Sequence, residues 1–355
     1  MNTAHNIAVY AVTPKGVALA RTLVDALGGS IFMPARMIEA DAPEHETGFE
    51  NLRACVADTF STFSTHIFIT AAGIAVRAIA PHLVSKDVDP AVIVMDQKGQ
   101  HVVSLLSGHL GGANDMASTL AQLVGGVPVI TTATDTEKLP SLDVLAAQAG
   151  CAIHNLNAVK HVNGALLAGE KVVLDDPADV LGLKRGEYSE LFIPAELVPF
   201  SEEDVPSVVV SWRSAELLEP EEKTLLLHPK VLCVGVGAKR GISPDVVSSC
   251  IQEVFEKHDM ALESISCLAS VDAKANEQGI RDVAEALKVP FVTFAADILD
   301  AVDVPNPSDA PKQAVGTKSV AEAAALHCAF LKHGARLVVE KQKGDGVTVA
   351  IALEI

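Results

Sequence analysis

The feature that most constrains this chain is a strand, turn and helix rhythm that runs strongly at both ends and weakens in the middle. Residues 6–12 form a β-branched, apolar run. The turn signal Thr13-Pro14-Lys15-Gly16 follows, and then an amphipathic stretch over 17–27 that stops at Gly28-Gly29. The same alternation predicts strands at 66–70, 91–96, 101–106 and 127–132 and helices at 72–83 and 115–124, with Lys98-Gly99 turning a hairpin between the middle two strands. Sequence 136–227 is weaker, with helices expected at 142–149 and 158–168, strands at 171–174 and 208–212, and acidic, Pro-bearing sequence at 201–206. A second strong unit begins at 231, with strands at 231–235, 265–270 and 291–294 and helices at 244–257 and 276–287. A Pro-rich loop at 304–311 follows, then a helix opened by Ser319 and Glu322 in capping-box spacing, and two strands around Gly344-Asp345-Gly346. The fold class expected is α/β: two three-layer α/β/α domains with mixed sheets, at 1–135 and 229–355, joined by a smaller middle α/β region at 136–228.

Composition narrows the function classes. A formal net charge of −18 argues against nucleic acid, whose phosphates need an excess of Lys and Arg. No apolar run reaches membrane-spanning length, and the N-terminus lacks the basic region of a secretory leader, so a cytoplasmic, soluble chain is expected. Six cysteines, far apart and without CxxC or Cys/His pairing, read as reduced core thiols, and no protein metal site or cofactor is expected.

The motif with most chemical content is Ser107-Gly108-His109-Leu110-Gly111-Gly112-Ala113-Asn114. A strand ends there, glycines turn the backbone, and Asn114 is typed to cap the next helix. Amides at such a helix entrance favour an anion or a developing oxyanion, and His109 beside them is suited to moving a proton. A plain structural turn, with His109 bonded to a neighbouring carbonyl, is the equally weighted alternative. Upstream, Gly73 opens a helix carrying Arg77, followed by His82 and Lys86. Arg and Lys together suit a ligand with several acidic arms, and an ion pair of Lys86 with Asp87 or Asp89 is the alternative. Downstream, Gly235-Val236-Gly237-Ala238-Lys239-Arg240-Gly241 joins a strand to a helix with Ser243 at the cap and Pro244 in the first turn. A dinucleotide fingerprint is disfavoured because its third glycine falls on Arg240. Lys274 and Glu277, three residues apart at a helix start, read as a surface ion pair.

Blocks along nearly the whole chain resemble one family. TAAGIAVRAIAPHLVSKDVDPAVIVMD (70–96), LLSGHLGGAND (105–115) and PVITTATD (128–135) are similar to the N-terminal domain of cobalt-precorrin-5A hydrolases. GVGAKRG (235–241), SVDAKANEQGI (270–280), VGTKSVAEAAAL (315–326) and VTVAIA (347–352) resemble that family's C-terminal domain. Ala238-Lys239-Arg240 departs from the Cys-Arg-Arg common at that loop, so no thiol there is essential in this chain.

The resemblance implies hydrolysis of the δ-lactone of cobalt-precorrin-5A with loss of a two-carbon fragment as acetaldehyde, on the anaerobic route to cobalamin. Cobalt would arrive inside the substrate. On that reading His109 activates water, directly or through Ser107, while the amides of Gly111, Gly112, Ala113 and Asn114 receive the oxyanion. Gly73, Arg77, His82 and Lys86 would hold the corrinoid, with Gly235, Gly237, Lys239, Arg240, Lys274 and Glu277 closing from the C-terminal domain across a cleft. Neighbouring enzymes of the pathway and a second copy of the chain are the candidate protein partners. A non-catalytic corrinoid carrier or pathway scaffold is the main alternative, separated from the hydrolase by whether acetaldehyde is released.

Overall fold

The computed structural model describes residues 6–85, 88–197, 205–332 and 334–355, so Lys86, Asp87 and residues 201–204 of the acidic stretch lie outside the described residues. Two compact units are present, the first ending at Val144 and the second beginning at Leu145.

The first unit is built on seven strands: β1 Ile7–Ala11, β2 Ser30–Pro34, β3 Glu46–Phe49, β4 Thr65–Ile69, β5 Ala91–Met95, β6 His101–Leu106 and β7 Val127–Val129. Their order is β3-β2-β1-β4-β5-β6-β7. Every residue of β1, β4 and β5 is buried, which is why these segments read as continuous apolar runs rather than alternating ones. Helices Pro14–Leu27 and Ala113–Val124 cover one face through Ala20, Leu23, Ala117 and Leu120. Leu52–Thr59 and Ala72–Ile79 cover the other, packing Val56, Ala75 and Ile79 on Tyr10 and Phe68. Strands β2 and β3 and helix Leu52–Thr59 add to the elements expected from sequence.

Strand direction positions the site. β1 to β5 are mutually parallel, the hairpin with Gly99 at φ +70° reverses β6, and β7 runs parallel to β6. The segments leaving β6 and β7 therefore emerge at the amino edge of β1 to β5. The segment leaving β4, which carries Gly73, emerges at the opposite edge.

Beneath the Leu52–Thr59 and Ala72–Ile79 face lies His66, fully buried. Its Nε2–H donates to the Phe60 and Phe63 carbonyls at 3.2 Å each, so Nδ1 accepts from the Tyr10 hydroxyl at 3.0 Å. Burial outweighs those two carbonyl bonds and pulls the imidazole down to about 4. The unfolded chain takes up that proton near pH 6.5 while the folded chain resists until about pH 4. Stability is therefore lost as pH falls through this window, by about 3 kcal/mol at its acid end. Urea titrations at pH 7 and 4.5 should show a smaller pH difference for His66→Gln than for the parent chain.

The second unit holds two sheets. One contains β8 Ala152–Ile153, β9 Val172–Asp175, β10 Phe192–Pro194, β11 Ser207–Val210 and β12 Thr224–His228 in the order β10-β9-β11-β12-β8. The other contains β13 Leu232–Ala238, β14 Ile265–Val271, β15 Phe291–Phe294, β16 Ala335–Lys343 and β17 Val347–Glu354 in the order β15-β14-β13-β17-β16. β13, β14 and β15 are parallel, whereas β17 is antiparallel to both β13 and β16. The fold is α/β throughout, with mixed sheets. Helix Asp309–Val315 begins inside the stretch expected to be a Pro-rich loop, with Pro311 in its first turn, where a missing N–H costs no hydrogen bond. Cys233, Cys267 and Cys328, distant in sequence, converge in this sheet's core, with Sγ separations of 3.5 Å for Cys233–Cys267 and 3.0 Å for Cys267–Cys328. Spacing in sequence could not show that convergence, since β13, β14 and helix Val320–Phe330 each supply one thiol.

Candidate active site

The loop after β6 is shaped by Ser107 at φ +55° and Gly112 at φ +81°. Gly112 is the residue preceding helix Ala113–Val124, and its left-handed conformation carries no side-chain penalty. Asn114 thus lies inside the helix rather than capping it, contrary to the sequence expectation. It is buried, and its amide nitrogen donates to Thr132 Oγ1 and Asp135 Oδ2 at 3.0 Å each.

His109 is the centre of a polar cluster from the first unit. On one side Nε2 lies 3.0 Å from Asp135 Oδ2 and 3.2 Å from Thr134 Oγ1. On the other, Nδ1 lies 3.0 Å from Ser141 Oγ and 3.8 Å from Asp143 Oδ2, and the Ser141 hydroxyl donates to Asp143. Because that hydroxyl proton goes to Asp143, Ser141 accepts from His109 Nδ1–H, which fixes the ring orientation. The Asp143 carboxylate beside Nδ1, linked to it through Ser141, raises the His109 pKa, opposed by burial and reinforced by Asp135. Burial alone would push Asp143 up, but His109 and Ser141 together hold it at about 2. The imidazole is 18% exposed and Asp135 39%, so solvent and ligand reach the ring at its Asp135 side.

Several sequence-predicted roles change. Ser107 does not serve His109: its left-handed backbone turns Oγ to the Asp89 carbonyl at 2.9 Å, and Ser141 occupies the position expected of it. Three of the four expected oxyanion donors are spent inside the loop. Gly112, Ala113 and Asn114 amides donate to the carbonyls of His109, Ser107 and Gly108 at 2.9, 3.1 and 3.0 Å. Of those four, the Gly111 amide alone has no partner among the described residues, and the amides of Gly108, His109 and Leu110, which the sequence did not single out, are in the same condition.

His82 and Gly111 line one hollow of about 550 Å³ at this same edge, with Asp89 and Leu110. Arg77 and Gly73 lie elsewhere: the Arg77 guanidinium folds back to donate to the Gly73 carbonyl at 2.8 Å, beside Glu50 and Ile74. Lys86 lies outside the described residues. Asp135, Ser141 and Asp143 were missed in sequence. Asp135 ends the PVITTATD block, whose run of hydroxyl and carboxyl residues after a short strand was the available signal.

In the second unit, Gly237, Lys239, Arg240 and Lys274 line a cavity of about 600 Å³ at the carboxyl ends of β13 and β14. Gly235 does not line it. A Cβ at Gly235 would sit 1.8 Å from the Ala321 carbonyl oxygen, so this glycine permits close packing of helix Val320–Phe330 rather than ligand contact. Lys274 and Glu277 pair at 3.1 Å, but they are 13% and 9% exposed, not a surface pair. Burial pushes Glu277 up, and the hydrogen bonds from Lys274 and the Gly241 amide outweigh it and lower its pKa. The Gly241 amide donates to Glu277 Oε1 at 2.7 Å, tying the basic loop to the next helix.

Comparison with known proteins points to one family along the chain. Residues 54–135 match a model of the cobalamin synthesis G N-terminal region, 140–229 a cobalamin biosynthesis central region and 232–352 the cobalamin synthesis G C-terminus. A cobalt-precorrin-5A hydrolase of Salmonella typhimurium is 35% identical, covering 99% of each chain. One of Priestia megaterium is 30% identical over 98% of this chain and 94% of its own. A solved cobalamin biosynthesis protein G homolog from Sulfolobus solfataricus is 20% identical with a TM-score of 0.38, covering 100% of this chain and 99% of that one. With two such relatives aligned from end to end, the chain belongs to the cobalt-precorrin-5A hydrolase family of cobalamin synthesis.

Proposed function

We propose that this chain hydrolyses the δ-lactone of cobalt-precorrin-5A at His109 and Asp135, with release of acetaldehyde. The observation that carries this reading is one imidazole held between two carboxylates, closed on its Nδ1 side by Ser141 and Asp143 and open on its Nε2 side at the partly exposed Asp135. Adding water across a lactone requires a proton to leave the attacking water and a proton to reach the ring oxygen as the C–O bond breaks. Neutral His109 takes the first at Nε2, and the resulting imidazolium, stabilised by both aspartates, supplies the second. Acetaldehyde then leaves when the hydroxyl freed on the two-carbon unit gives up its proton and the C–C bond joining that unit to the macrocycle breaks, the electron pair staying with the macrocycle, which takes up a proton in exchange. The amides of Gly108 to Gly111, which have no partner among the described residues, are the backbone donors this loop can offer to charge on the acyl oxygen. Cobalt enters and leaves inside the corrinoid ring.

Incubation with cobalt-precorrin-5A in ¹⁸O-labelled water tests this. Expected are one equivalent of acetaldehyde per corrinoid and one labelled oxygen in the newly formed carboxylate. Binding of the corrinoid without aldehyde would establish a carrier instead.

A further inference from the structure

The chain carries a net charge of −18, yet the cavity of about 600 Å³ in the C-terminal sheet is lined by Lys239, Arg240, Lys274, Lys341 and Lys343 and by no Asp or Glu. Three separate segments supply these cations: the loop after β13, the short turn after β14, and the end of β16. Lys274 is neutralised by Glu277, and Lys341 Nζ donates to the Asn306 carbonyl at 2.5 Å. Lys239, Arg240 and Lys343 are exposed and have no ion pair among the described residues. The wall is braced from within by Glu322, fully buried, which accepts from Ser319 Oγ, the Asn306 side chain and the Lys341 amide at 3.1, 2.9 and 3.1 Å. Glu277 braces the opposite wall through Gly241. Unpaired cations held apart on braced loops repel one another, an arrangement that favours an anion bridging them.

We infer that this basin is a polycarboxylate tetrapyrrole site in its own right, gripping acid arms of the corrinoid through Lys239, Arg240 and Lys343 while Val271, Val315, Val320 and Val347 lie against the ring edge. Its volume falls in the range of pockets for whole small molecules and far exceeds one carboxylate. Arg240 offers a paired fork to one arm and the lysines act as point charges for others. The inference takes the corrinoid as the ligand from the proposed function; to Lys239, Arg240 and Lys274, expected to touch it from the sequence, it adds Lys341 and Lys343 and a bounded cavity within the second unit.

The test uses the full chain and uroporphyrin III, a flat tetrapyrrole with eight carboxylates, followed by fluorescence polarisation. Expected is saturable binding that weakens by at least about tenfold in the triple variant Lys239→Ala, Arg240→Ala, Lys343→Ala, as loss of charge-assisted bonds requires. A control triple, Lys98→Ala, Lys160→Ala, Lys171→Ala, makes the same change in net charge at exposed lysines elsewhere and should bind within about twofold of the parent, since added like charge at that distance is screened. Equal weakening in both triples, unchanged binding in the basin triple, or displacement by citrate at the same concentration as by the non-fluorescent iron complex of uroporphyrin III would each overturn the inference. Acetaldehyde assays on the same proteins separate the two readings. Uroporphyrin binding lost in the basin triple, with no aldehyde from the parent, would sink the hydrolase alone. Aldehyde released by the basin triple at the parent KM, with porphyrin binding intact, would sink the basin alone.

Discussion

Replacement of His109 by alanine should lower the rate of acetaldehyde release by about 10²- to 10⁴-fold, the usual range for losing a positioned proton-transfer group. The chain should stay folded, because the loop is held by its own backbone bonds from Gly112, Ala113 and Asn114 and not by the imidazole. His109→Gln can keep one hydrogen bond to the cluster but cannot exchange a proton near neutrality, so it should lose rate to a similar extent. Parent-like melting together with the lost rate would assign the effect to chemistry. The sign of the pH effects also follows. Asp143 and Asp135 raise the His109 pKa, so the neutral base is scarce at low pH and turnover should climb as pH rises through a value above the ordinary 6.5. The same raised pKa gives the opposite trend in stability. The ion pairs contribute fully below the unfolded value and are lost as pH rises through the folded one.

Gly235→Ala should destabilise the second unit by about 3 kcal/mol or more, at the upper end of what overpacking costs. The added methyl would lie 1.8 Å from the Ala321 carbonyl oxygen and 2.9 Å from the Ala325 amide, both backbone atoms of one helix. No rotamer change relieves such a contact. The helix Val320–Phe330 must retreat, and with it the packing of Ala323, Ala324 and Cys328 against Cys233 and Ala269. A urea midpoint well below that of the parent is the expected readout. A variant that melts like the parent but fails to bind porphyrin would instead return Gly235 to the ligand site.

These two positions show how far sequence reaches. β1, β4 and β5 were legible because burial on both faces demands unbroken apolar runs, whereas β3, with the sequence ETGF, carries too little apolar sequence at the sheet edge to announce itself. His109 was legible from its glycine-bent loop. Its partners were not, because they follow from β6 and β7 running against the rest of the sheet, which brings residues 134–143 to position 109 in space alone. Reversal of those strands also puts the His109 loop at the edge opposite Gly73 and Arg77, although both lie in the one span, 54–135, that matches the family's N-terminal region. Likewise Lys239 and Arg240 stood out as adjacent cations in a glycine loop. Lys341 and Lys343 join them only because β16 runs parallel to β13 across the intervening β17. Gly235 illustrates the converse: a glycine in a motif that looks made for a ligand serves helix packing.

The most direct measurement is the pH profile of single-turnover acetaldehyde release for the parent and for Asp143→Asn. Asp143 touches no reacting atom, and it is the largest single cause of the raised His109 pKa. Its replacement should move the midpoint of the rising limb to lower pH while also lowering the plateau. A midpoint identical in the two proteins would show that the titrating group is not His109, and would contradict the assignment of proton transfer to it.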